Sequence, residues 1–169
     1  MTDGRRRVLG LDPGLATTGY GIVLGDGVSA EALALGTIRT KAAMPRAERL
    51  HRIFEGVRTL IAEHAPDEVA VEQQFVAENV RSAIAIGEAR AAAMVAASAS
   101  GLPVFEFAPT EVKESVTGHG AAPKEQVRDM VAIHLGLAEI AGPLDVSDAL
   151  AVALARLADL RLEAALARR

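Results

Sequence analysis

A chain of 169 residues can bury a proper core without staples, and the absence of cysteine excludes disulfides, thiolate chemistry and Cys-ligated zinc. The basic start Arg5-Arg6-Arg7 has no long apolar run behind it, because Asp12-Pro13-Gly14 interrupts, and Glu88 and Arg90 break the best apolar stretch, so neither a signal peptide nor a membrane span is expected. The formal charge of −4 does not announce a nucleic-acid binder, although Arg39, Lys41, Arg46, Arg49, Arg52 and Arg58 crowd one short span opposed only by Glu48 and Glu55. A cytoplasmic protein with a single domain over residues 1–169 is the expectation.

Three strand-like runs come first, at residues 7–12, 19–25 and about 30–40. The turns between them carry Pro13-Gly14 and Gly25-Asp26-Gly27 and are short enough for antiparallel neighbours. Pro45 then opens a helix with Leu50, Ile53, Phe54, Val57, Leu60 and Ile61 on one face, ending near His64-Ala65-Pro66. A buried-looking strand, Glu68 to Glu72, follows. An alanine-rich helix spans about 79–100 and is stopped by Gly101 and Pro103. Val104 to Phe107 reads as the fifth strand. The remainder is helical: a short helix from about Thr110, one over 123–135, and a last one from about Asp145. This order predicts an α/β fold, a five-stranded mixed sheet flanked by helices, with parallel crossovers among the later strands.

Asp12 and Glu72 each close an apolar strand. Taken singly, the first reads as an Asp-Pro-Gly turn and the second as an ordinary strand end. Asp145 and Asp148, spaced i, i+3, share one helical face; Asp145 as an N-cap with Asp148 in the first turn would suit the helix dipole. Two like charges at that spacing repel, and a divalent cation would reverse the sign. If the first and fourth strands are parallel neighbours, Asp12 and Glu72 stand side by side at their C-terminal edge, and the aspartate pair could complete the cluster. Ligands that are all oxygen select a hard cation such as Mg2+ or Mn2+. Two such ions about 4 Å apart are one route to phosphodiester hydrolysis. None of the four histidines is assigned as a ligand.

The strings Leu9-Gly10-Leu11-Asp12-Pro13-Gly14 with Thr18-Gly19-Tyr20-Gly21, Val71-Glu72-Gln73-Gln74-Phe75, Pro109-Thr110-Glu111-Val112-Lys113, Gly118 to Val127, and Asp145-Val146-Ser147-Asp148-Ala149-Leu150-Ala151 resemble the RuvC family of Holliday junction resolvases, in order and at similar separations. The resemblance runs to about Leu157 and implies a ribonuclease H-like fold. It implies a metal-dependent endonuclease that resolves four-way DNA junctions by paired symmetric nicks, leaving a 5′-phosphate and a 3′-hydroxyl, in homologous recombination and repair. By the same resemblance Asp12, Glu72, Asp145 and Asp148 are the catalytic metal ligands for Mg2+ or Mn2+, two ions per site, with Asp12 bridging both. Lys113 and Lys124 lie near the scissile phosphate and bind DNA, and Phe75 stacks on bases at the junction. A homodimer acting with a branch-migration helicase complex is also implied. Two rivals stand beside this reading. An actin-like or sugar-kinase ATPase would need a second lobe for which there is no room, and retention of all four carboxylates argues against a non-catalytic relative of the same fold.

Overall fold

The computed structural model describes residues 4–73 and 79–168. Among them, β1 (Arg6–Asp12), β2 (Thr17–Gly25), β3 (Ala30–Arg39), β4 (Glu68–Glu72) and β5 (Val104–Phe107) form a sheet in the order β3-β2-β1-β4-β5. The short connections make β1, β2 and β3 antiparallel neighbours. The helical crossovers α1 (Arg46–His64) and α2 (Val80–Ala99) make β1, β4 and β5 parallel.

Strand alternation sorts the core into two layers. Leu9 and Leu11 of β1 and Val69 and Val71 of β4 face α1 and α2, where they meet Ile53, Val57, Ala89, Ala93 and Ala96. Val8 and Ala70 face the opposite way, toward α5 (Leu144–Leu166). The helices α3 (Pro109–Thr117) and α4 (Lys124–His134) cover the far side of α5. That sandwiching explains why the run Ala149 to Ala153 is apolar all round: it is buried on every side.

The helix boundaries follow local chemistry. In α1, Leu50, Ile53, Phe54, Val57, Leu60 and Ile61 line the inner face, and Ala65 ends the helix in the left-handed region (φ 45°), its N–H bonding the Ile61 carbonyl at 2.9 Å just before Pro66. In α2, the Asn79 side chain caps the Ser82 amide at 2.9 Å. Two expectations shift. The second strand starts at Thr17 rather than Gly19, because Thr17 and Thr18 already pair with Arg39 and Ile38. The last helix starts at Leu144 with Pro143 in the capping position, its carbonyl accepting from Val146 N at 3.1 Å. Proline presets the backbone angle for helix entry, so Asp145 is not the N-cap and its carboxylate is released from that duty.

Glycines let α5 lie directly on the sheet. A Cβ at Gly10 would stand 2.0 Å from the Ala149 carbonyl oxygen, and one at Gly19 would stand 2.0 Å from that of Asp145. At Gly21 it would meet the Leu150 side chain at 2.4 Å. Gly10 and Gly21 are cross-strand partners, as are Asp12 and Gly19, so these positions form a trough shaped for the first half of α5. Lower down, Arg156 pins the helix. Its side chain is 4% exposed, donates to Glu68 at 2.6 Å and Glu163 at 2.7 Å, and lies 3.6 Å over the Phe105 ring. Among the described residues no helix is long and apolar enough to cross a membrane.

Candidate active site

Side-chain alternation puts Val8, Gly10 and Asp12 on the α5 face of β1, and Glu68, Ala70 and Glu72 on the same face of β4. The parallel register pairs Leu11 with Val71, so one residue further on Asp12 and Glu72 end neighbouring strands at one edge. The trough holds the first turn of α5 against Gly19, the partner of Asp12, which brings Asp145 and Asp148 over that edge. The side-by-side placement conditional in the sequence is therefore present.

The turn after Asp12 is held by other groups. The Thr18 hydroxyl donates to the Gly14 carbonyl at 3.0 Å, and Thr40 donates from its amide to Ala16 and from its hydroxyl to Leu15. Among the described residues no hydrogen bond engages the Asp12 carboxylate, so the simple turn-former role does not account for it. Glu72 is braced through its backbone: Arg90 of α2 donates to the Glu72 carbonyl at 3.3 Å while pairing with Glu106. Sequence reasoning missed Arg90 and the glycine trough. Glycines at alternate positions of a strand, Gly19 and Gly21, were the available signal.

The electrostatics bind the four acids into one unit. Burial, then the charges of Asp148, Glu72 and Asp145, push Asp12 up to about 8, with Lys124 opposing. Burial and the Asp148 charge raise Glu72 to about 7 against Lys124 and Lys113. Asp148 is raised as well, by burial first and by Asp145, while Lys124 and Lys113 draw it back. Of these carboxyls only Asp12 is raised by all three others. Lys124 stands 3.7 Å from Asp148, and Lys113 and Lys124 line a narrow cleft of about 50 Å³ with Glu72 and Asp148. His134 is committed to the Val116 carbonyl at 2.9 Å, in keeping with its omission from the ligand set. Phe75, expected to stack on bases, lies outside the described residues.

Among the described residues no three acidic or histidine side chains make a ready-drawn ligand shell. The donor chemistry still fits a hard cation: oxygen donors only, held near one another at the expense of raised proton affinity. A divalent charge would relieve both burial and repulsion.

A mixed sheet in the order 3-2-1-4-5, with a long helix laid across its central strands, is the ribonuclease H-like arrangement. The family model for crossover junction endodeoxyribonuclease RuvC matches residues 8–156. This chain belongs to the RuvC family, and it is thereby an endodeoxyribonuclease. It is 51% identical over 160 residues to the crossover junction endodeoxyribonuclease RuvC of Trichlorobacter lovleyi, covering 94% of this chain and 89% of that one. The Thermus thermophilus RuvC solved in complex with a Holliday junction substrate superposes with a TM-score of 0.89 at 37% identity, covering 94% of this chain and 96% of the other. The yeast mitochondrial Holliday junction resolvase Ydc2, at 11% identity, shares the fold with a TM-score of 0.68, covering 94% and 81%.

Proposed function

We propose that this chain resolves four-way DNA junctions by hydrolysing one phosphodiester per active site, using Asp12, Glu72, Asp145 and Asp148 as metal ligands. The observation that carries the reading is the convergence of these acids, from the ends of two parallel strands and the first turns of α5, in a chain so similar to a RuvC solved in complex with a Holliday junction substrate. Mg2+ or Mn2+, two ions per site, would supply the acidity that activates water and the charge that offsets the leaving oxygen. Asp12, which feels all three other carboxylates, would be the central ligand of the set. Glu72 and Asp148 stand on the lysine side of the cluster. There Lys113 and Lys124 orient the scissile phosphate through its non-bridging oxygens and oppose the rise in proton affinity of Glu72 and Asp148. The half-buried setting of Asp12 and Glu72 reduces their solvation and strengthens each of these charge interactions. Phe75 follows Glu72 closely in sequence and is assigned to stacking on junction bases.

The whole span 1–169 acts as one nuclease domain, paired as a homodimer, in the cytoplasm and alongside a branch-migration helicase complex. A synthetic four-way junction should be nicked by the purified protein in Mg2+ or Mn2+ and left intact in EDTA. An intact junction under every divalent cation tried would remove the proposal.

A further inference from the structure

The basic run that precedes and opens α1 reaches the same sheet edge as the acidic cluster. Asp12 pairs with Gly19, and Gly19 pairs with Thr37 of β3, so the three form one row across the sheet and share a face. Thr37 therefore stands two strand spacings, about 10 Å, from Asp12. The exposed Arg39 folds back on that row, its Nε donating to Thr37 Oγ1 at 3.3 Å. Arg49 donates from Nε to Thr40 Oγ1 at 2.8 Å, and the same hydroxyl donates to the Leu15 carbonyl at 2.5 Å. Arg49 is thus tied to the loop that leaves Asp12.

Two other arginines of the run are already paired: Arg46 with Glu88 at 2.5 Å, and Arg58 with Glu55 at 3.7 Å, where it also lies over Phe54. Arg39, Lys41 and Arg49 have no carboxylate within 4.0 Å among the described residues. Lys113 and Lys124 occupy the other side of the acids, beyond Glu72. Cations consequently flank the cluster on both sides, and those on the β3 side have no carboxylate partner among the described residues, in a chain whose net charge is negative.

We propose that Arg39, Lys41 and Arg49 form a shoulder that grips backbone phosphates of a duplex arm entering on the β3 side. The proposal rests on the junction-resolving function above. A buried acidic cluster repels a polyanion, and cations on one side only would hold the strand at one end. With both sides charged, the backbone can run across the carboxylates. Arg39 presents a planar fork suited to one phosphate, and Lys41 adds a compact charge beside it. Such phosphate grips carry no base information, so their signature is salt dependence.

The test is the slope of log K against log salt for binding a synthetic four-way junction in EDTA, where no cutting intervenes. Each duplex phosphate that the protein no longer neutralises takes about 0.9 off the steepness of that slope, so Arg39→Gln/Lys41→Gln is expected to flatten it by at least about 1.8. Affinity at moderate salt should fall at least about tenfold, with an unchanged melting temperature. Arg161→Gln/Arg168→Gln, the same charge change beside Gly25 and Asp26 at the opposite end of the sheet, should leave the slope as it is. A wild-type slope in the first pair, or equal flattening in the second, overturns the shoulder. Wild-type protein that cuts the junction in Mg2+ while the first pair keeps its slope sinks the shoulder alone. Wild-type protein that neither binds nor cuts sinks the proposed function with it.

Discussion

In the folded chain without metal, Asp12 and Glu72 hold protons up to about 8 and about 7, far above the 3.8 and 4.5 of free carboxyls. Between those limits the folded state binds more protons than the unfolded one, so stability is highest near the unfolded values and declines as pH rises toward the folded ones. We expect the melting temperature in EDTA to fall from about pH 5 to about pH 8 and then level off. Asp12→Asn should remove much of that fall, because an amide has no proton to lose, and should abolish cleavage while junction binding persists. Added Mg2+ should stabilise the wild type more at about pH 8 than at about pH 6, where protons compete for the same oxygens. A melting temperature in EDTA that is flat or rising across this window would show that burial and mutual repulsion do not raise these acids as described.

At the level of elements, apolar periodicity and the proline and glycine stops placed every strand and helix to within a residue or two. Pro45, Asn79, Gly101 and Pro143 act within their own turns, and such signals survive in the sequence alone. Four acids and two lysines could be named because they sit inside recognisable strings, the acids and Lys124 at or near element ends. Their convergence could only be conditional, since the β1–β4 pairing joins residues some sixty positions apart. The trough was illegible for another reason: Gly10, Gly19 and Gly21 look like strand weaknesses until α5 is laid on them. Gly19→Ala puts a methyl 2.0 Å from the Asp145 carbonyl, so the first turn of α5 must shift. A loss of about 1–3 kcal/mol in denaturant unfolding is expected. Cleavage at a temperature where the variant is fully folded should drop at least about tenfold, since a misplacement of about 1 Å can cost more than that. Unimpaired cleavage by the folded variant would separate the trough from the chemistry.

At the scale of the whole molecule, each chain offers one acidic edge of this composition among its described residues, whereas resolving a junction requires two opposed cuts. Closed two-fold pairing is the commonest way to supply two sites. A tagged heterodimer of wild-type and Asp12→Asn subunits should therefore convert a cruciform plasmid to open circles and yield no linear product. Linear product, with subunit exchange excluded, would contradict one site per subunit. The trough has a consequence for biosynthesis too. Asp12 emerges with the first strand, but Asp145 and Asp148 arrive only with a helix that follows all five strands in the chain and packs upon them. A nascent chain whose sheet has formed up to Gly142 holds only half of its acids and none of the helix that orients the rest. On the proposed reading of these acids, the helix that completes the core also completes the site, so a chain lacking α5 is expected to leave a four-way junction uncut.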